Sequence, residues 1–410
     1  MFGWLIRDAS WLTLERLRAW CLLLTLMMAA WGGVMLLAQV SGAAWGGLGG
    51  DFPCFYAAGM LARHGSPDLA YAPGALAAAE QALQPRQQGG YLPFFYPPPF
   101  LMVCWLLAGL PYWAAFALFT AAGLVPLALA ARRLLPSEAG WLPFLAYPGL
   151  WITFLAGQNG LILAACLAWF MVFADRRPLA GGACLGFLIC KPHLAIGVPF
   201  ALAAAGRWRH LGGVISCAAV LCVASVLILG AAPWGAFLHS AHAAATAITG
   251  GMVQEVRIQS VFMAARLLGV GLAVASIVQS VAALGVLTVL VRFARTRPPS
   301  VALGAAIAAS ALLITPYCMD YDLICLAPCL AFLAGQMRTG EEVPYLRFVL
   351  FVAFLLPLLS SAMAANAHLQ AAPAVIGAAL LFVAKGTQRE GRPSSLKKEG
   401  RRFLVLGLRG

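Results

Sequence analysis

The segment Ala19–Val40 reads AWCLLLTLMMAAWGGVMLLAQV, an apolar run with no charged side chain, preceded by Arg7, Arg16 and Arg18. A helix rises 1.5 Å per residue, so about 20 apolar residues cross a hydrocarbon core of about 30 Å. A secretory leader carries the same basic flank, but its apolar region stops at about 7–15 residues, so this run reads as an uncleaved first span. The rest of the chain follows suit. Of its 410 residues, 62% are hydrophobic and 10% charged, whereas a soluble domain carries about 25% charged residues and could keep its surface wetted. The composition excludes a disordered chain, a disulfide-rich secreted domain, a coiled coil and a soluble enzyme on a single anchor. The expected class is an all-α polytopic membrane protein.

The formal charge of +13 reads as a topology signal rather than a nucleic-acid face, because basic residues favour cytoplasmic turns. Arg7, Arg16 and Arg18 place the N-terminus inside. The polar stretch 41–96 is then a long extracytoplasmic loop, with a helix expected over Phe52–His64 and an amphipathic segment at Ala75–Leu83. Pro97–Leu110 is too short to cross and reads as a re-entrant or interfacial helix. Tyr112–Ala131 returns the chain inward, where Arg132 and Arg133 land. Arg176 and Arg177, Arg207 and Arg209, Arg292 to Arg297, and Arg338 then recur at every second turn. Pro178–Gly206 supplies two crossings as short half-helices around Lys191-Pro192, which is tolerated where protein or water covers the broken backbone. The expectation is about 12 spans in one domain, residues 1–385, followed by a basic cytoplasmic tail, 386–410. Five basic residues are left outside: Arg63, Arg86, Lys191, Arg257 and Arg266.

Polar residues collect in the outward turns: Asp51-Phe-Pro-Cys-Phe-Tyr56, Tyr96-Pro-Pro-Pro, Gly157-Gln-Asn-Gly160, Lys191-Pro-His193, Gln254–Ser260 and Thr315–Asp322. An ionisable group at membrane depth costs about 2.5–3.5 kcal/mol on insertion scales, so it has a task or a partner. Lys191 has no acidic neighbour in sequence. It reads either as a cation for a phosphate-like anion or as a lysine snorkelling to the interface. Asp51 reads as a functional carboxylate or as an N-cap ahead of Pro53. Asp320-Tyr-Asp322 has the spacing of a divalent-cation motif, but that motif belongs in a soluble α/β domain, so a structural role is preferred. The eleven cysteines lie mostly within apolar runs as packing residues, Cys54 and Cys318 being nearest the polar motifs. Phosphate-loop, zincin and nucleophile-elbow motifs are missing.

Asp51-Phe, Phe94-Phe-Tyr-Pro-Pro-Pro-Phe100, Gly157-Gln-Asn159, Lys191-Pro-His193, Gln259-Ser260 and Thr315-Pro-Tyr317 with Asp320-Tyr-Asp322, in this order, resemble glycosyltransferase family 87 of the GT-C superfamily. The resemblance covers about residues 45–335. It implies a GT-C-like fold and an inverting transfer of a sugar, mannose in the members that are polyprenyl-phosphomannose-dependent mannosyltransferases, from a polyprenyl-phosphate donor to a lipid or glycan acceptor on the extracytoplasmic face. The expected setting is a bacterial-type inner membrane, among membrane lipids; the basic residues put both termini in the cytoplasm and argue against a nucleic-acid partner. Asp51 matches the family's general base. The late motif departs from members that carry adjacent histidines there, since this chain has Tyr321-Asp322. An inverting transfer needs one base and groups that stabilise the leaving phosphate; it needs no cofactor and no obligatory metal. Tyr56, Arg63, Tyr96, Gln158, Asn159, Lys191, His193, Arg257, Gln259, Asp320, Tyr321 and Asp322 are the expected substrate-binding residues. A secondary transporter with Lys191 at its midplane and a non-catalytic lipid-handling protein are the rival readings.

Overall fold

A computed structural model of the chain describes residues 3–41, 48–83, 92–135, 140–249, 254–337 and 343–390. The tail beyond Glu390, Arg86 and Arg338 lie outside the described residues. Helix α1 (Leu14–Ser41) is the expected first span, begun one turn early and largely turned outward, with Leu22, Leu23, Leu26 and Leu37 all exposed. Outward apolar side chains are what a lipid-facing helix needs, since its backbone bonds are closed internally.

The described residues of the stretch that follows carry the two expected helical segments, α2 (Phe52–Arg63) and α3 (Pro73–Leu83), and the short α4 (Pro98–Leu107) comes next. Ten residues make α4 about 15 Å long, half the hydrocarbon thickness. Helix α4 lies against α2 at Gly59, where an added Cβ would sit 2.1 Å from the Cys104 carbonyl oxygen. Phe52, Phe55, Phe94 and Phe100 fill the space beneath with edge-on ring contacts, such as Phe55–Phe100 at 4.9 Å. Such pairing rigidifies the loop against the bundle.

Helix α5 (Tyr112–Leu134) is long and apolar enough to cross fully. Next come α6 (Leu142–Ala146), α7 (Pro148–Ala156) and α8 (Gly160–Phe173). The stretch around Lys191 is broken as its prolines and glycines predict. Helix α9 (Pro178–Gly186) runs into a 3-10 turn, Phe187–Cys190, and a second turn, Pro192–Leu194, leads to α10 (Gly197–Ala204). Beyond lie α11 (Trp208–Leu229), α12 (Ala232–Thr249), α13 (Val261–Leu267), α14 (Leu272–Arg295) and α15 (Ser300–Ile314). A 3-10 segment, Asp320–Leu326, precedes α16 (Ala327–Gln336), α17 (Leu346–Ala367) and α18 (Ala372–Glu390).

Among the described residues, α1, α5, α11, α14 and α17 are long and apolar enough to cross a membrane, and six shorter apolar helical stretches accompany them. Several expected spans are thus pairs of short helices. Helix α15 is the axis: thirteen consecutive residues, Ala302–Ile314, are all buried. Its Ala302, Gly304, Ala305, Ala306, Ala308 and Ala309 let neighbouring backbones approach closely, which is how helices associate where lipid removes the hydrophobic drive. No strand occurs among the described residues.

Candidate active site

Asp51 is positioned by two chain turns that satisfy each other. Helix α7 ends at Ala156 with free carbonyls. The Gly49 and Gly50 N–H groups donate to the Leu155 oxygen at 2.9 and 3.3 Å, and the Asp51 N–H donates to the Ala156 oxygen at 2.7 Å. Gly157 then turns at φ +70°, and a Cβ on it would lie 2.8 Å from Gly49 Cα and 2.9 Å from Phe52 Cβ. Only glycine suits both the left-handed turn and the close approach. The turn presents Gln158, whose Nε2 donates to Asp51 Oδ2 at 2.7 Å while its Oε1 accepts from Tyr96 Oη at 2.9 Å. Because the tyrosine hydroxyl donates to the amide oxygen, the amide nitrogen is left to face the carboxylate. Burial pushes the Asp51 carboxyl above its ordinary value, and the Gln158 hydrogen bond and the Arg257 charge oppose that rise.

Lys191 sits in the gap between the two half-helices and is 2% exposed. It does not snorkel. Its Nζ lies 2.5 Å from Asp322 Oδ1, and 5.0 and 5.9 Å from the ring centres of Tyr321 and Tyr96. The acidic partner missing from its sequence neighbourhood arrives from the 3-10 segment Asp320–Leu326, 131 residues further along the chain. Asp322 is fully buried and also accepts from the Met319 N–H at 3.1 Å. Arg257 grips Asp320 in a fork, Nε to Oδ2 at 2.8 Å and Nη2 to Oδ1 at 2.9 Å, with its guanidinium 5.6 Å from the Tyr321 ring centre. Both carboxylates of the Asp-x-Asp motif are therefore held by cations, in the geometry that makes such pairs strong.

The two loops carrying these pairs are stitched together. Ile258 and Met319 form an antiparallel bridge, and the Gln259 N–H donates to the Cys318 oxygen at 2.6 Å. Thr153 Oγ1 bonds the Tyr321 oxygen and Tyr147 Oη the Leu323 oxygen, each at 2.7 Å. Gln370 Nε2 donates to the Ile258 oxygen at 2.9 Å. Gln279 Nε2 donates to the Leu313 and Ile314 oxygens, and its Oε1 accepts from the Phe262 N–H. The sequence carries little sign of these supports: Gln279 is a lone polar side chain within an apolar helix, and Gln370 sits in a short turn between two helices.

A cavity of about 420 Å³ opens between the walls, lined by Asp51, Tyr96, Gln158, Lys191, His193, Arg257 and Tyr321 among the expected residues. Cys54, Phe95, Thr315 and Tyr317 line it too. Asp320 and Asp322 stand behind their cations. Gln259 is buried behind the wall, donating to the Arg257 oxygen and to Ser361 Oγ. Asn159 is also behind it, with neither amide atom partnered among the described residues, and His193 Nε2 is likewise unpartnered. Tyr56 and Arg63 lie outside the cavity. Tyr56 Oη donates to the Leu110 oxygen, and Arg63 stacks 5.3 Å from the Trp105 ring centre, so both brace α2. Glu80 is a further acid near the cavity rim. Its Oε2 accepts from the Leu92 N–H at 3.0 Å while Cys54 Sγ donates to the Leu92 oxygen, which clamps the strand-like run leading to Phe95 and Tyr96.

The fold and the site together define a polytopic membrane protein with a charged cavity enclosed at one end of an apolar helical bundle. The chain matches the model of glycosyltransferase family 87 over residues 94–316, which is 223 of its 410 residues, and it belongs to that family. No curated protein and no solved structure matches the chain. Family membership makes it a membrane glycosyltransferase rather than a transporter or a non-catalytic lipid-handling protein. The matched span includes Tyr96, Gln158, Lys191, His193 and Arg257; Asp51 and the Asp320–Asp322 motif lie outside it.

Proposed function

We propose that the protein moves a sugar, mannose by preference, from a polyprenyl-phosphate donor to a lipid or glycan acceptor on the extracytoplasmic face, with Asp51 as general base. The observation that carries this reading is the convergence of Asp51, Lys191 and Arg257 on one cavity. An inverting transfer forms a bond from the acceptor oxygen to the anomeric carbon as the bond from that carbon to the donor phosphate breaks. The electron pair leaves with the polyprenyl phosphate, and the acceptor proton goes to a carboxylate.

Asp51 suits the base. The Gln158 amide orients one of its oxygens, and its burial raises its proton affinity. The cations have capacity left for the phosphate. Arg257 spends Nε and Nη2 on Asp320, leaving Nη1, and Lys191 spends one of three N–H donors on Asp322. His193 Nε2 adds an unpartnered ring nitrogen on the same wall. Tyr96, Phe95 and Tyr317 offer aromatic faces for the sugar, and the apolar helices around them a path for the polyprenyl chain. The fully paired carboxylates keep the site close to neutral, so an arriving phosphate meets no uncompensated acid other than Asp51.

Asp51→Asn keeps the hydrogen-bonding shape and removes the base. It is expected to lower transfer from polyprenyl-phosphate mannose by at least about 10²-fold while the protein stays folded in detergent. Wild-type turnover by the variant would overturn the assignment.

A further inference from the structure

A second cavity, of about 270 Å³, lies at the opposite end of the bundle, walled by Trp20 of α1, Phe144 of α6, and Phe351 and Phe354 of α17. Its lining is almost wholly apolar. Tyr147 lines it, but its hydroxyl is spent on the Leu323 oxygen. Such a space stays dry and offers a sugar or nucleotide nothing to bond, whereas a hydrocarbon chain fits it. Arg347, half-buried, is its one charged lining residue, and among the described residues it has no hydrogen bond or ion pair. Around it, among the described residues, Arg7, Arg16, Arg18, Arg132 and Arg133 outnumber Asp8 and Glu15 at the ends of the neighbouring helices. An apolar slot lined by a guanidinium with no partner among the described residues is complementary to one molecule class, an anionic lipid whose chain enters and whose phosphate stays outside. Ile324 lines this cavity, while Tyr321, three residues earlier, lines the Asp51 cavity, so the segment Asp320–Leu326 is the partition between the two.

We infer that this cavity holds one acyl chain of an anionic phospholipid from the adjacent leaflet, with the lipid phosphate on Arg347. The site is independent of the reaction, and its occupant buttresses the partition from the side away from Asp51. Native mass spectrometry of the full-length protein, titrated with phosphatidylglycerol or phosphatidylcholine of identical chains, tests it. One phosphatidylglycerol should bind about tenfold more tightly than phosphatidylcholine. Arg347→Gln should bring the two lipids level, Ala331→Leu should weaken both by narrowing the slot, and Arg292→Gln, away from the cavity, should change neither. If Arg347→Gln does not fold, loss of phosphatidylglycerol from Ala331→Leu alone carries the test. Equal binding of the two lipids by the wild type, or unchanged binding by Arg347→Gln and Ala331→Leu, overturns the inference. So does displacement of the phosphatidylglycerol by polyprenyl phosphate, which would give the cavity to the donor's tail.

Discussion

Lys191 and Asp322, 131 residues apart in the chain, meet at 2.5 Å with side chains 2% and 0% exposed. Taking two charges out of water costs several kcal/mol each, and each makes the other tolerable. Removing one leaves the other stranded. Lys191→Met and Asp322→Asn are each expected to lower stability by about 3–5 kcal/mol. The double variant Lys191→Met with Asp322→Leu should recover most of that loss yet remain inactive, because the donor phosphate has lost its cation. Thermal unfolding and a transfer assay on the same detergent preparations separate the two effects. A double variant that regains both stability and turnover would confine Lys191 to structure.

Gln158 is the second point of leverage, since its one amide ties Tyr96 to Asp51. Gln158→Leu withdraws a donor that favours the ionised carboxylate, so burial is opposed by the Arg257 and Lys191 charges alone and the Asp51 carboxyl rises further. The base is then protonated over a wider acid range. Turnover is expected to fall about tenfold at low pH and to recover toward alkaline pH, with the acid limb of kcat/KM displaced upward. Tyr96→Phe should produce the same displacement more weakly, by freeing the amide to turn. An unchanged pH profile in Gln158→Leu would detach Asp51 from the proton transfer.

The parts legible in the sequence were those that strain against their surroundings. A lysine and prolines inside apolar runs marked the broken helices around Lys191, and a lone acid after the first span marked Asp51. Partners distant in sequence left no such mark. Nothing near Lys191 announces Asp322, and nothing near Arg257 announces Asp320. Tyr56 and Arg63 illustrate a different limit. Helix α2 is apolar on most of its faces, so its periodicity does not say which side meets the cavity, and the structure turns both residues toward α4 and its flank. Gln279 and Gln370 were invisible for a third reason, because their task is to satisfy broken helix ends that exist only once the bundle is assembled.

Glu80 makes the loop sensitive to pH. Burial, with a contribution from the charge of Asp51, pushes its carboxyl up from 4.5 to about 7, against the lowering effects of the Leu92 N–H and Cys54. The folded state prefers Glu80 protonated. Its contribution to stability is therefore fully present below pH 4.5 and is lost as pH rises through 7. The apparent Tm of the wild type should decline between pH 5 and pH 8. Glu80→Gln, which keeps the shape without the charge, should flatten that decline, matching the wild type at pH 5 and exceeding it at pH 8. Parallel curves for the two proteins would show that Glu80 carries no such penalty.

The reaction proposed for Asp51 holds only if its cavity faces away from the cytoplasm. Cys54 is a poor reporter of that, being 3% exposed with its thiol bonded to the Leu92 oxygen. Asp68, exposed on the turn after α2, and Thr296, exposed at the end of α14 beside Arg295 and Arg297, are better placed. In intact cells a membrane-impermeant maleimide should label Asp68→Cys above the wild-type background and should reach Thr296→Cys only after permeabilisation. The basic turns favour this outcome, because the cations at the end of α14 are retained inside by the same rule that orients α1. The reverse pattern would turn the Asp51 cavity to the cytoplasm, where a nucleotide-activated sugar rather than a polyprenyl-phosphate sugar becomes the natural donor, and the roles given to Lys191 and Arg257 would have to be reassigned to a diphosphate.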